Sequence, residues 1–189
     1  MEKTALEQDK KIYTINVYSE NVAGLLNKIT NIFTRRQLNI ETLSVSASSI
    51  EGIHKYTITT MTDEATVEKV TGQIEKIVDV LQAHYYLDDE IIYQEIALYK
   101  VPTEELLNGP GIEQLVRKHN ARIMEANRTY TVIELTGHPE DTEALYKELS
   151  EIGLYQFVRS GRIAITKSPV ERLSNFLANI KKIADKRND

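Results

Sequence analysis

The sequence predicts an α+β protein made of two small βαββαβ modules in tandem. Two observations predict this. Stretches of period-two alternation and one-sided helical stripes follow one another in the order β-α-β-β-α-β, and then do so a second time. The chain has 189 residues, somewhat more than one average domain of roughly 150, which suits two compact modules better than one.

The elements follow in order. Lys11 to Tyr18 alternates, with Ile12, Thr14 and Asn16 opposite Tyr13, Ile15 and Val17, and reads as a strand. Leu25, Leu26, Ile29, Ile32 and Phe33 then form a one-faced helix. Asn39 to Ser48 is rich in β-branched residues and reads as a second strand, and Ser49 to Gly52 as a turn. Ile53 to Met61 is the third strand, and Asp63 is placed to cap the next helix. That helix carries Val67, Val70, Ile74, Ile77, Val78 and Leu81 at spacings of three and four, and Tyr85 to Leu87 reads as a short fourth strand.

The second module repeats the order. Ile91 to Val101 is a strand, and Pro102 to Asn120 is a helical region broken at Asn108-Gly109-Pro110-Gly111. Arg122 to Ala126 and Tyr130 to Thr136 pair as a hairpin across Asn127-Arg128. Pro139 opens a helix that runs to Ile152, and Leu154 to Arg159 closes the module, with Arg162 to Thr166 as its extension. Ser168-Pro169-Val170-Glu171 is a capping box that opens a last helix with Leu173, Phe176, Leu177, Ile180 and Ile183 on one face. The expected domains are therefore 11–88 and 91–189, each a ferredoxin-like unit with two helices on one face of an antiparallel sheet. Units of about 80 residues bury little more than half of their unfolded surface. The helix-free face of each sheet also calls for a cover, so a homodimer or a permanent partner is expected.

Composition narrows the function. There are 23 basic and 28 acidic residues, and residues 1–90 hold all of the net charge of −5. A nucleic-acid surface needs a basic footprint, so no nucleic-acid partner is expected. Cysteine is absent, which excludes disulfides and thiolate chemistry from this chain and favours a reducing compartment. Met1 to Lys11 has no apolar core, and no apolar run exceeds four residues, against about 20 for a bilayer span. The expectation is a cytoplasmic protein with no membrane association.

Sites of chemistry are few. His54, His84, His119 and His138 are scattered, with no ligand-like spacing, so no metal and no catalytic residue is expected. No phosphate loop, dinucleotide fingerprint or nucleophile elbow occurs. The acidic trio Asp88-Asp89-Glu90 reads as a solvated boundary between the modules. One segment differs: Ser19-Glu20-Asn21-Val22-Ala23-Gly24-Leu25-Leu26, the first strand-to-helix turn. A helix start presents free N–H groups and the positive end of its dipole, a ready site for a carboxylate. Gly24 lets a ligand approach the backbone, and Asn21 can donate and accept toward a zwitterion. The simpler reading is that Asn21 caps the helix and Gly24 is tolerated in its first turn.

Val17 to Leu26, followed by Asn39-Ile40-Glu41-Thr42-Leu43-Ser44-Val45, resembles the N-terminal ACT domain of acetolactate synthase (acetohydroxyacid synthase) small regulatory subunits. Val78-Asp79-Val80, Glu95 to Val101 and Arg159-Ser160-Gly161 match in the same order, so the resemblance covers residues 11–166. One departure stands out: the family has glycine before its aromatic-Asn-Ile sequence, where this chain reads Arg36-Gln37-Leu38-Asn39-Ile40. Its first helix must close without glycine.

The resemblance implies an ACT dimer with a branched-chain amino acid, usually valine, at the interface. Asn21, Val22, Ala23, Gly24 and Leu25 would hold the carboxylate and ammonium, and Asn39 and Ile40 of the other copy would close the pocket. It implies a non-catalytic subunit that needs no cofactor itself. Its partner would be a large catalytic subunit that carries thiamine diphosphate, magnesium and FAD, which it activates and makes sensitive to feedback. Two other classes are open to the residues alone: a free-standing two-module amino-acid sensor, and a small enzyme built on Asp88 to Glu90 or a histidine.

Overall fold

The computed structural model describes residues 10–107 and 111–169. The helix expected from Ser168 onward lies outside the described residues from position 170 on. The chain divides into two units, one formed by residues up to Ile92 together with those from Ala164, and the other by Tyr93–Ile163.

The first unit is a four-stranded antiparallel sheet in the order β2-β3-β1-β4. Its elements are β1 (Lys11–Glu20), α1 (Leu25–Arg35), β2 (Thr42–Ala47), β3 (Ile53–Thr62), α2 (Glu64–Ile74) and β4 (Val80–Tyr86). β1 lies in the middle because its alternation puts Tyr13, Ile15 and Val17 on one face, and these are buried. Ile15 pairs with Ile58 and Val17 with Tyr56. Leu25, Ile29 and Phe33 of α1 and Val67, Val70 and Ile74 of α2 pack onto that face.

The helix ends show why these segments stop where they do. Asp63 caps α2 as expected: its carboxylate accepts the Thr66 N–H at 2.9 Å and the Thr66 hydroxyl at 2.7 Å. The Thr66 hydroxyl bond holds the Asp63 carboxyl below the usual carboxylate range. α1 ends in a Schellman motif. Leu38 N–H reaches the Phe33 carbonyl and Gln37 N–H the Thr34 carbonyl, both at 3.0 Å. Gln37 occupies the left-handed position at φ 53°, so the helix closes without glycine, as the sequence required.

α2 differs from the expected helix. It ends at Ile74, Val78 is 95% exposed, and Leu81 lies in β4. The cause is a bulge. Between Tyr18 and Ser19 the partner on β4 jumps from Gln82 to Val80, leaving Leu81 as the extra residue. Val80 and Ala83 therefore both face the core, and a strand carries a helix-like spacing of three.

The second unit has the order β6-β7-β5-β8. Its elements are β5 (Ile91–Pro102), the short α3 (Thr103–Leu107), α4 (Gly111–Lys118), β6 (Arg122–Ala126), β7 (Tyr130–Gly137), α5 (Pro139–Ile152) and β8 (Gln156–Arg159). β9 (Ile163–Thr166) pairs with β5 and is not a continuation of β8. Ala97, Tyr99, Val101, Ile133 and Leu135 from the sheet meet Ile112, Val116, Leu145 and Leu149 from the helices. The buried Tyr99 hydroxyl donates to the Thr142 carbonyl at 2.7 Å, and burial pushes its pKa up. The Thr142 hydroxyl donates in turn to the buried Glu95 carboxylate at 2.6 Å.

Residues 164–169 return to the first unit, so a second domain unbroken from 91 to 189 is not what the described residues form. Lys55 donates to the Ala164 carbonyl. Lys167 donates from its N–H to Glu90 at 3.0 Å and from its ammonium to the Asp89 carbonyl at 2.7 Å.

Candidate functional site: the turn between β1 and α1

Residues 21–24 connect β1 to α1 and are held at both sides. Asn21 N–H donates to the Gly52 carbonyl of the β2–β3 turn at 3.1 Å, and Glu20 N–H to the Asp79 carbonyl at 3.0 Å. Gly24, not Asn21, is the N-cap. It sits at φ 83° with no atom within 4 Å of where a Cβ would be, so glycine is required by the backbone and not by crowding.

No side chain caps α1. Among the described residues the N–H groups of Leu26 and Asn27 have no backbone acceptor, whereas Lys28 N–H reaches Gly24 and Leu25 N–H reaches Val22. The turn therefore offers free donors at the positive end of an 11-residue helix, the arrangement that favours a carboxylate. Val22 and Leu26 beside it are each 40% exposed and form an apolar border. Asn21 is exposed, and its side chain is free of any capping role.

The expected site residues are not all together in one chain. Asn21, Val22, Ala23 and Gly24 share the turn, but the Leu25 side chain is fully buried in the core beneath it. Asn39 and Ile40 lie beyond the far end of α1, about 16 Å away along the helix at 1.5 Å per residue. There the Asn39 carbonyl accepts the Thr60 hydroxyl at 2.7 Å, and Ile40 packs against the core.

Sequence reasoning missed Lys28 and Asp79 as neighbours of the turn. Their ion pair is 2.8 Å long, with side chains 55% and 21% exposed. The i+4 spacing from Gly24 pointed to Lys28, but nothing local links it to a residue 51 positions later.

The other candidates have structural tasks. Asp88-Asp89-Glu90 forms a single 3₁₀ turn in which the Glu90 carboxylate accepts the Leu87 N–H at 2.8 Å. His119 lies 3.1 Å from Glu148. His138 stands at the N-cap of α5, its ring edge-on to Tyr93. Among the described residues no three His, Asp or Glu side chains converge as a metal site, and no helix is long and apolar enough to cross a membrane.

Residues 15–82 match the family described as the AHAS small subunit-like ACT domain, and residues 94–168 match the small subunit of acetolactate synthase. The Bacillus subtilis acetolactate synthase small subunit is 30% identical over 171 residues, which are 88% of this chain and 95% of that one. The chain belongs to the acetolactate synthase small-subunit family. The Mycolicibacterium smegmatis small subunit is 29% identical over 157 residues, covering 83% of this chain and 92% of its own. The crystal structure of the Thermotoga maritima acetolactate synthase small subunit superposes with a TM-score of 0.76 at 27% identity. It covers 85% of this chain and 99% of that one.

Proposed function

We propose that this chain is the regulatory subunit of a cytoplasmic acetolactate synthase, that it activates the large catalytic subunit, and that it confers feedback inhibition by valine. The single observation that carries the reading is the uncapped, glycine-opened start of α1 in a chain of this family. The effector's carboxylate meets the free N–H groups of Leu26 and Asn27, and its ammonium meets Asn21. The isopropyl group lies along Val22 and Leu26.

Asn39 and Ile40 of a second copy close this pocket, which accounts for their distance from the turn within one chain. The site is thus complete only in a homodimer. The catalytic partner carries thiamine diphosphate, magnesium and FAD; this chain contributes binding and coupling. A methyl-sized group adds about 0.8 kcal/mol on burial. Valine, leucine and isoleucine should therefore differ in affinity by only a few-fold. Coupling between the two sites is expected at about 1–3 kcal/mol.

The test is reconstitution. The chain is co-expressed with candidate thiamine-dependent large subunits, and 2-acetolactate formation from pyruvate is measured with and without the chain and valine. Co-purification, a rise in turnover and inhibition by valine support the proposal. A large subunit whose rate and valine response do not change when the chain is added overturns it.

A further inference from the structure

Lys28 lies four residues after Gly24, one turn into α1 and on the same face. Helical side chains lean toward the N-terminus of their helix, so the Lys28 stem runs back over the first turn. Its ammonium meets Asp79 Oδ2 at 2.8 Å. The main chain of that same Asp79 accepts the N–H of Glu20, the last residue of β1, at 3.0 Å. Asp79 is thereby tied to the end of β1, one residue before the β1–α1 turn, and its carboxylate holds the Lys28 ammonium from the first turn of the helix whose Leu26 and Asn27 N–H groups have no backbone acceptor. An ammonium has three donors; one points at Asp79, and the side chain is 55% open to solvent.

We propose that Lys28 is a specificity-determining residue of this site, its ammonium contacting the carboxylate of the bound amino acid, and that Asp79 is the positioning residue that holds it there. The proposal rests on the reading of the β1–α1 turn as an amino-acid site. Backbone N–H groups alone accept any small anion. A full positive charge added at one edge strengthens the carboxylate contact and sets the orientation in which the side chain meets Val22 and Leu26. Asp79 also keeps Lys28 from extending into solvent, so less side-chain freedom is lost when the ligand arrives.

The experiment compares L-valine with L-valinamide, which keeps the side chain and the ammonium but lacks the carboxylate. Both are titrated calorimetrically into the full chain as wild type, Lys28→Met, Lys28→Arg and Asp79→Asn. Lys28→Met keeps length and helix propensity, and an exposed ion pair contributes little to stability, so the variants fold; thermal melts check this. The expected result is a loss of about tenfold or more for valine in Lys28→Met with valinamide changed by less than about twofold. Lys28→Arg retains most of the valine affinity, and Asp79→Asn loses less than Lys28→Met. Valine binding to the wild type also weakens with salt, and Lys28→Met flattens that dependence.

Equal losses for the two ligands, or no loss for valine, overturn the assignment of Lys28 and leave the effector site standing. A wild-type chain that binds neither valine, leucine nor isoleucine overturns the effector site, and this assignment with it.

Discussion

Replacing Gln37 with glycine should stabilise the protein. Gln37 sits at φ 53°, the left-handed position of the Schellman motif that ends α1. An L-residue there carries about 1–2 kcal/mol of steric cost that glycine does not. Against that gain, glycine adds about 0.4–1 kcal/mol of conformational entropy to the unfolded chain. The net expectation is about 0.5–1 kcal/mol in favour of Gln37→Gly. Nothing else changes sign. The Gln37 side chain is exposed, and both bonds that close the helix come from backbone N–H groups of Gln37 and Leu38. For a chain of this size 1 kcal/mol corresponds to about 2–4 °C in Tm. Urea unfolding followed by circular dichroism should show a higher midpoint with the slope unchanged. Gln37→Ala serves as the control, because it removes the side chain and keeps the strain, and it should not stabilise. A Gln37→Gly protein no more stable than the wild type, or one matched by Gln37→Ala, would refute the reasoning. Asn120, at φ 52° after α4, occupies the same position in the second unit. Asparagine tolerates that region better, so Asn120→Gly should gain less.

Under the proposed function Gly24→Asp should abolish the response to valine, since it places a carboxylate where the effector's carboxylate would bind. The φ of 83° adds about 1 kcal/mol of strain but no clash. Gly24→Ala, with the strain and without the charge, should retain part of the response in the reconstituted enzyme. Asp63→Ala should lower stability by about 1 kcal/mol through loss of the α2 cap, read as a lower urea midpoint. Because the folded pKa of Asp63 is depressed, its contribution is present above the unfolded aspartate value of about 3.9 and is lost as pH falls through the folded one. Wild type and Asp63→Ala should therefore converge in thermal melts taken at strongly acidic pH. Tyr99→Phe removes the buried hydroxyl that donates to the Thr142 carbonyl and should lower stability by about 1 kcal/mol, measured in the same urea assay.

The fold was legible where one periodicity acted alone. Tyr13, Ile15 and Val17 alternate without interruption and form the middle of the first sheet. Asp63 and Pro139 mark helix starts by chemistry that works within a few residues. Legibility failed where a long-range constraint rewrote the local pattern. Residues 74–83 carry a helical stripe, yet pairing with β1 draws residues 80–86 into a strand and leaves Leu81 as a bulge. No window of sequence reports the position of β1. The return of residues 164–169 to the first unit was hidden for the same reason, since its bonds to Lys55, Asp89 and Glu90 are made with residues far back in the chain.

The site was half legible, and the division has a physical cause. Free N–H groups at a helix start are a property of one turn, so Gly24 and its neighbours could be singled out from residue types alone. The role of Gly24 could not, because Asn21 is as good a cap by composition, and only φ 83° shows which residue closes the helix. Asn39 and Ile40 could be joined to the turn only by resemblance. Within one chain a helix of 11 residues separates them from it, and the proposed function brings them together through a second copy. Lys28 and Asp79 are the opposite case: near in the fold and 51 residues apart in sequence. The proposed site, which draws on a turn, a distant strand start and a second copy, would spread its parts over the chain, and each part by itself looks like ordinary structure. Such a spread would also suit regulation, because an effector bound there would touch elements that differ in chain position and in copy. Its binding can then bias how they pack together, which is the differential contact that feedback requires.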